Sequence, residues 1–98
     1  MRLIVSGHGL KVGDELRDRV NRSIANSEAK FAERPTDATV TFSKNGNEFE
    51  CEATMHLSTG RSAQAHASST DIFAAFHLAY ERLEKQLRRY KRRLKDHH

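Results

Sequence analysis

The sequence lacks the features of a secreted or membrane-bound protein. Its single cysteine, Cys51, cannot form an internal disulfide, which agrees with a reducing compartment. The chain has no run of about eighteen apolar residues and no basic segment followed by an apolar one, so we expect neither a membrane span nor a secretory signal. We therefore predict a cytoplasmic protein without a membrane partner.

The sequence also lacks the motifs of an enzyme or a cofactor site. Gly7-His8-Gly9 has neither the glycine spacing nor the Lys-Ser/Thr pair of a phosphate-binding loop, so a plain turn is expected there. Serine, histidine and carboxylate residues occur in no spacing typical of a catalytic site. His97 and His98 have no ordered set of partner ligands and would also fit a tag remnant. We predict no enzymatic activity, no cofactor and no metal site.

What the sequence does contain is regular alternation of apolar and polar residues. The 98 residues suffice for one compact domain, and they include no repeat, low-complexity tract or linker. Period-two alternation predicts strands at residues 2–6, 36–44, 48–57 and 61–68. Apolar spacings of three and four predict helices at residues 14–32 and 70–95. The expected class is α+β, with the order β-α-β-β-β-α.

The connections between these elements predict the sheet. A helical crossover implies that the first two strands are parallel, whereas the short turns after them imply antiparallel pairs. Gly13 is expected to cap the first helix, Arg34-Pro35 to stop it, and Ser69 or Thr70 to cap the second. We predict a four-stranded mixed sheet with both helices on one face.

The final helix is predicted to be amphipathic over its whole length. Its apolar stripe consists of Ile72, Phe76, Ala79, Leu83, Leu87, Tyr90 and Leu94. A helix of about 25 residues is roughly 37 Å long, against roughly 23 Å for a seven-residue strand. We therefore expect the last turns to project beyond the sheet, with Tyr90 and Leu94 only partly covered.

The positive charge of the chain is concentrated in this helix. The formal net charge is +4, but residues 1–80 contain nine basic and ten acidic groups, whereas residues 81–98 contain eight and three. A localised basic surface favours a polyanionic partner, most commonly a nucleic acid. A solvated helix face that only keeps the domain soluble is the alternative interpretation.

Only one side of the predicted sheet suits a nucleic acid. The open face displays Glu48, Glu50 and Glu52, which would repel a phosphate backbone. It carries no aromatic residue, because Phe42 and Phe49 fall on the buried side. Base stacking of the RNA-recognition-motif kind is therefore excluded.

We predict that the helical side binds RNA. The predicted contacts are Arg22, Lys30, Arg82, Lys85, Arg88, Arg89, Arg92 and Arg93, with Arg17 as a further cation on that side. Guanidinium and ammonium groups bind phosphates without reading bases, which suits folded RNA. Two rival hypotheses stay open: a dimerising interaction module that uses Tyr90 and Leu94, and a general double-stranded RNA-binding domain.

An ordered set of short segments also resembles a known family. The segments are Leu3-x-Val5-x-Gly7-His8, Ala53-Thr54-Met55-His56, Ala65-x-Ala67, Asp71-Ile72-Phe73-Ala74-Ala75-Phe76 and Leu83-x-Lys85-Gln86-Leu87-x-Arg89-x-Lys91. Together they resemble the ribosome hibernation promoting factors and the related ribosome-associated inhibitor, once labelled sigma-54 modulation proteins. The resemblance covers essentially the whole chain.

The resemblance implies a fold and a function. The implied fold has the same element order and is similar to a double-stranded RNA-binding domain with an extra strand. The implied function is binding to the small ribosomal subunit and its 16S rRNA between head and body, where mRNA and tRNAs lie, and inhibition of translation in stationary phase or starvation. By position, the rRNA contacts would be Arg22, Lys30, Arg82, Lys85 and Arg89, with Lys11 and Lys44 as weaker correspondences.

The end of the chain resembles the close of the first domain in longer members of this family. Those members continue through a linker into a dimerising domain. We therefore expect residues 1–98 to be a single ribosome-binding domain, either a short member or the N-terminal domain of a longer protein. In the second case, dimerisation would belong to a C-terminal domain absent from this chain.

Overall fold

The secondary-structure elements follow one another in the predicted order. In this computed structural model the backbone is described for residues 1–30 and 34–96, and the side chains for residues 1–27 and 34–90. The elements are β1 (Arg2–His8), α1 (Asp14–Lys30), β2 (Pro35–Asn45), β3 (Glu48–Leu57), β4 (Ser62–Ser69) and α2 (Ile72–Asp96). The predicted α+β class and the β-α-β-β-β-α order are confirmed.

The four strands form one sheet in the order β1-β2-β3-β4. β1 pairs with β2 in parallel, and both β2–β3 and β3–β4 are antiparallel, as the connections predicted. The two hairpins turn at Gly46 and Gly60, whose φ angles of 65° and 90° are strained for residues with a side chain. The sheet therefore has two edges, β1 and β4.

The first strand is longer than the sequence predicted. Gly7 and His8 still pair with Phe42 and Ser43 of β2, so β1 ends at His8 instead of residue 6. A side chain at Gly7 would collide with the carbonyl oxygen of Leu10. The strand thus needs a glycine at position 7, because the turn that follows passes too close for a side chain.

The inner face of the sheet is apolar throughout. The predicted alternation is confirmed on β2, β3 and β4, whose inward side chains are buried: Ala38, Val40, Phe42, Cys51, Ala53, Met55, Leu57, Ala63, Ala65 and Ala67. The alanines of β4 are small, so α2 packs close to that strand, where Phe76 and Leu83 are fully buried. Leu3 and Val5 of the edge strand β1 are only partly buried.

The two helices cover this inner face and contact each other through polar side chains. Ser27 of α1 is fully buried, and its Oγ lies 2.8 Å from Tyr80 Oη of α2. Tyr80 Oη donates to the carbonyl oxygen of Ser23 at 2.8 Å. The buried hydroxyls therefore have partners, which avoids the cost of desolvating them unpaired.

The start of α1 agrees with the prediction, whereas the start of α2 differs from it. Arg17 N–H donates to the carbonyl of Gly13 at 3.0 Å, which makes Gly13 the cap of α1. In α2, Asp71 is the cap: its Oδ1 accepts from Phe73 N–H at 3.1 Å. The prediction of Ser69 or Thr70 as the cap was wrong by one or two residues, because Ser69 Oγ accepts from the Asp71 N–H just before the helix.

Several predictions at the ends of the helices fall on residues that the structure does not describe. Phe31, expected at the end of the inward stripe of α1, lies outside the described residues, as do His97 and His98. The side chain of Leu94 lies outside them as well. Over its described residues, neither helix is long and apolar enough to cross a membrane.

Candidate nucleic-acid interface

Three cations of α2 form one exposed stripe. Arg82, Lys85 and Arg89 are all exposed. Their spacing of three and four residues stacks them on one side of the helix. We call these three residues the basic stripe. Because Leu83 and Leu87 are buried against the sheet, the stripe faces away from the core, with Lys85 outermost and with Arg82 and Arg89 turned toward one flank of α2.

Hydrogen bonds identify this flank as the one beside the edge strand β4. The guanidinium of Arg82 donates to the carbonyl oxygen of His66 at 2.5 Å. One turn later, the side-chain amide of Gln86 binds both main-chain groups of Gln64: its Oε1 accepts from the N–H at 3.0 Å and its Nε2 donates to the carbonyl. The helix is thus tied to the free edge of the sheet.

Tyr90 continues these bonds toward the start of β4. Its hydroxyl donates to the carbonyl oxygen of Ser62 at 3.0 Å, and the guanidinium of Arg61 lies 5.2 Å from its ring centroid. We call the bonds of Arg82, Gln86 and Tyr90 to the β4 backbone the edge ladder. Tyr90 is partly covered, as predicted, but sequence reasoning missed the ladder, whose only sequence signal is the spacing of four residues.

The flank of α2 that faces α1 is chemically different. Arg19 of α1 donates to His77 Nε2 at 2.9 Å, and its guanidinium lies 5.7 Å from the ring centroid of Phe73. Helical spacing puts Glu84 and Arg88 farther along this flank. Arg88 is three residues after Lys85 and about 60° around the helix from it, so it lies between the basic stripe and the flank that carries Glu84.

Arg17 and Arg22, the predicted cations of α1 whose side chains are described, do not join the basic stripe. Arg22 is exposed on the outer surface of α1. Arg17 donates to the carbonyl oxygen of Val5 at 3.1 Å, so it caps the other sheet edge. Among the described side chains, the predicted two-helix surface thus consists of a basic stripe along α2 and of separate cations on α1.

Three of the predicted contacts have side chains outside the described part of the structure. Lys30 is the last residue of α1, and Arg92 and Arg93 belong to the last turns of α2. Only their backbone is described. Their predicted contribution to RNA binding therefore stays a prediction from the sequence.

The two weaker correspondences lie away from the basic stripe. The ammonium of Lys44 is 5.5 Å from the ring centroid of Phe49, at the end of the β2–β3 hairpin. Lys11 is exposed in the segment between β1 and α1. Neither side chain is adjacent in sequence or in helical spacing to the stripe.

The open face of the sheet carries the opposite charge. Its described side chains include four carboxylates against one arginine: Arg2, Asp37, Glu48, Glu50 and Glu52. A depression of about 360 Å³ on this face is lined by His8, Thr41, Ser43, Glu50, Glu52 and His66. These charges disfavour a phosphate backbone, as the sequence predicted.

The polar side chains of the open face mostly bond to one another. Gln64 Nε2 donates to Glu52 Oε1 at 3.2 Å, and His66 Nε2 lies 3.9 Å from Glu50 Oε2. Within the described part of the chain, no three histidine, cysteine or carboxylate side chains are grouped so that they could hold a metal ion. On the other face, Cys51 is fully buried, and burial, followed by the charge of Glu52, raises the pKa of its thiol to about 12.

Comparison with known proteins finds one matching family model and relatives that share one name. A family model described as Sigma 54 modulation protein / S30EA ribosomal protein matches residues 3–95. The chain is 40% identical over 98 residues to a ribosome hibernation promotion factor of Rhizobium meliloti (strain 1021), covering 100% of this chain and 52% of that protein. It is 34% identical over 96 residues to a protein of the same name from Bradyrhizobium diazoefficiens, covering 98% and 47%. The chain thus spans about half the length of these relatives.

Two solved structures share the fold. A ribosomal subunit interface protein from Coxiella burnetii has a TM-score of 0.81 at 23% identity, covering 93% of this chain and 98% of that one. The N-terminal domain of Protein Y from Thermus thermophilus has a TM-score of 0.81 at 26% identity, covering 92% and 99%. The observed architecture therefore extends over almost the whole of both structures.

Proposed function

Because the chain belongs to the Sigma 54 modulation protein / S30EA ribosomal protein family, we propose that it is a ribosome hibernation factor that binds the small ribosomal subunit and inhibits translation. The names of its curated relatives support this activity. The proposed action is stoichiometric binding in the cytoplasm and includes no catalytic step. Residues 1–98 would act as one ribosome-binding domain, and any dimerisation would belong to sequence outside this chain.

The observation that carries the proposal is the separation of charge between the two sides of the domain. The basic stripe lies on the helical side, whereas Glu48, Glu50 and Glu52 lie on the open sheet face. A phosphate backbone is attracted to the first surface and repelled by the second. Only one orientation on rRNA is then favourable.

Within the basic stripe, Lys85 and Arg89 are the contacts best placed for 16S rRNA. Both are exposed, whereas one guanidinium nitrogen of Arg82 already binds the His66 carbonyl. Arginine can still use its remaining donors, so Arg82 keeps part of its capacity for phosphate. Further contacts from the remaining predicted cations complete the proposal: Arg22, Lys30, Arg88, Arg92 and Arg93.

The proposed location on the subunit is the channel that mRNA and tRNAs occupy. A rigid domain bound there through rRNA phosphates would exclude both ligands and leave the ribosome silent. This mode of inhibition needs shape and backbone recognition rather than base reading, which a helix flank with spaced cations provides. Stationary phase or starvation is the condition in which such silencing would operate.

The rival dimer hypothesis loses part of its basis in the structure. Tyr90, one of the two residues expected to mediate it, uses its hydroxyl to bind Ser62 and packs its ring beneath Arg61 within the same chain. The general double-stranded RNA binder is the other alternative. It differs from the proposal in predicting equal affinity for an arbitrary RNA duplex and for ribosomes.

Co-sedimentation with small subunits tests the proposed contact. Reversing the charge of Lys85 and Arg89 together, in K85E/R89E, is expected to lower the affinity about a hundredfold or more, since two charge-assisted hydrogen bonds are removed. Cell-free translation should be inhibited by the native chain and not by the variant. The same charge reversal at an exposed arginine of the open face, Arg2→Glu, serves as the control and should leave both readouts unchanged.

Three results would count against the proposal. Pelleting of K85E/R89E like the native chain would reject the basic stripe as the contact. Equal binding of an arbitrary duplex and of small subunits would favour the general RNA binder. If mRNA and initiator tRNA do not compete with the native chain, the chain does not bind in the channel that they occupy.

A further inference from the structure

The edge ladder occupies main-chain groups that an edge strand normally leaves open. In an antiparallel pair, alternate residues of each strand direct their N–H and C=O groups away from the partner. Ser62, Gln64 and His66 of β4 are such alternate residues, and each of them is bound by a side chain of α2. The helix thus takes the place of a fifth strand along this edge.

The repeat of the helix matches the repeat of the strand. Four residues of an α-helix rise by about 6.0 Å, and two residues of an antiparallel strand advance by about 6.8 Å. Arg82, Gln86 and Tyr90 can therefore meet three successive outward groups of β4 with a mismatch of about 1.6 Å over two repeats. The helix runs opposite to the strand, since the partner numbers fall as the helix numbers rise.

The ladder fixes the rotation of α2 about its own axis. Apolar packing alone would hold the helix on the sheet but would permit some roll, because its contacts are non-directional. Hydrogen bonds are directional and weaken steeply when misaligned. Gln86 supplies the strictest restraint, because its amide binds both main-chain groups of one residue, Gln64.

This rotation determines where the charges of the basic stripe point. Lys85 and Arg89 each precede a ladder residue, Gln86 and Tyr90 respectively, and so lie about 100° around the helix axis from it. With the ladder in place, Lys85 points away from the core, opposite the buried Leu83 and Leu87, and Arg89 lies about 40° from it toward the side of β4. A roll of the helix would turn them away from a common line of phosphates.

We propose that Gln86 and Tyr90, which carry no charge, are positioning residues for rRNA binding. The inference rests on the proposed function, and it adds that affinity depends on the alignment of the basic stripe as well as on its charge. Gln86 is the principal positioning residue. Tyr90 supports it through its hydroxyl and its stacked Arg61.

Gln86→Met tests the proposal, because methionine keeps the length of the side chain and removes both hydrogen bonds. Small-subunit binding should weaken about three- to tenfold, the equivalent of roughly one net hydrogen bond. The decisive readout is the slope of the logarithm of the binding constant against the logarithm of salt concentration. It should become shallower by roughly 0.7 to 0.9 if one phosphate is no longer neutralised, although the chain keeps all of its charges. A purely structural role would reduce the folded fraction and leave that slope unchanged.

The matched control is Gln64→Met. It removes a side-chain amide from β4 on the open face and leaves the main-chain groups of residue 64, which Gln86 binds, in place. It should bind like the native chain. Tyr90→Phe keeps the ring over which Arg61 lies and should give a smaller change in the same direction as Gln86→Met. Hydrogen exchange of the Gln64 amide should accelerate in Gln86→Met, which verifies that the ladder bond is broken.

The outcomes separate this inference from the proposed function. Faster exchange at Gln64 with native affinity and native salt slope in Gln86→Met would overturn the positioning role while leaving rRNA binding intact. A native chain that does not bind small subunits at all would overturn the proposed function, and the positioning role with it. Loss of affinity in Gln64→Met as large as in Gln86→Met would also reject the specific role of the ladder.

Discussion

Cys51 illustrates how the position of a residue in a strand decides its chemistry. It lies in the central strand β3 with its side chain on the inner face, where it is fully buried. Burial disfavours the thiolate, and the neighbouring charge of Glu52 adds to this effect, so the pKa rises to about 12. The reactive form of the thiol is therefore almost absent at neutral pH.

We expect Cys51 to react with a thiol reagent only when the chain unfolds. Labelling with Ellman's reagent between about pH 7 and 9 should be at least roughly a thousandfold slower in the native state than in denaturant, given an ordinary stability of about 5 kcal/mol or more. The rate of labelling should follow the free energy of unfolding as urea is added. Fast labelling in the absence of urea would show that the thiol is accessible in the folded chain.

The burial of Cys51 was predictable, whereas the partner of Arg82 was not. Alternation along residues 48–57 identifies the inner side of the strand from the sequence alone. The sequence reports that Arg82 is cationic and helical, but it contains no distance between the helix and the strand edge. The bond to the His66 carbonyl depends on that distance, so only the structure reveals it.

The start of α2 is defined by a side chain that the sequence pattern assigned to the first turn. Asp71 accepts from the N–H of Phe73, and its own carbonyl accepts from Ala75 N–H at 3.0 Å. Serine, threonine and aspartate are all good caps, so composition alone did not distinguish Ser69, Thr70 and Asp71. The hydrogen bonds make the distinction.

Replacing the cap should destabilise the protein in a residue-specific way. Asp71→Ala is expected to lower the free energy of unfolding by about 1 kcal/mol, because an N–H of the first turn loses its acceptor. Asp71→Asn should retain most of that stability, and Thr70→Ala should be nearly neutral. Urea unfolding followed by circular dichroism measures all three. A larger loss in Thr70→Ala than in Asp71→Ala would contradict this assignment.

The predicted strand boundaries differ from the observed ones by at most two residues, and the differences have a physical cause. Residues 36–44 were expected for the second strand, and β2 runs from Pro35 to Asn45. Proline lacks an N–H but is tolerated as the first residue of a strand, so it extends β2 instead of preceding it. The alternating core defines the middle of each strand, whereas pairing with neighbours defines its ends.

The domain is thick enough to separate its two oppositely charged surfaces at physiological salt. Its principal extents are 48 × 21 × 19 Å, so the acidic open face and the basic stripe lie roughly 20 Å apart. That distance exceeds the Debye length of about 8 Å at physiological ionic strength, but it is shorter than the value of about 30 Å at about 0.01 M. The two faces therefore act independently in the cell and influence each other at low salt.

Neutralising the open face should have an effect that depends on salt. At about 0.15 M ionic strength, E50Q/E52Q is expected to bind small subunits within roughly twofold of the native chain, whereas K85Q/R89Q should lose about tenfold or more. At about 0.01 M, E50Q/E52Q should bind more tightly than the native chain, since repulsion from the far face is removed. A large loss in E50Q/E52Q at physiological salt would instead indicate that the open face contacts the subunit.

The overall charge distribution was predictable, but its division around α2 was not. The alternating glutamates of β3 identify an acidic face, and the basic residues after residue 80 identify a basic one. Which flank of the helix carries usable cations depends on how α2 is rotated against β4 and α1. The contacts of Gln86 with Gln64 and of Arg19 with His77 fix that rotation, and both arise from residues distant in sequence.

The edge ladder also restricts how the chain can change in length. Inserting or deleting one residue between Arg82 and Tyr90 would turn the following part of α2 by about 100° and shift it by about 1.5 Å. Gln86 or Tyr90 would then miss its partner on β4, and part of the basic stripe would face a different side. Related chains should therefore preserve the number of residues in this segment, while insertions and deletions accumulate beyond Tyr90, where the ladder no longer imposes a count.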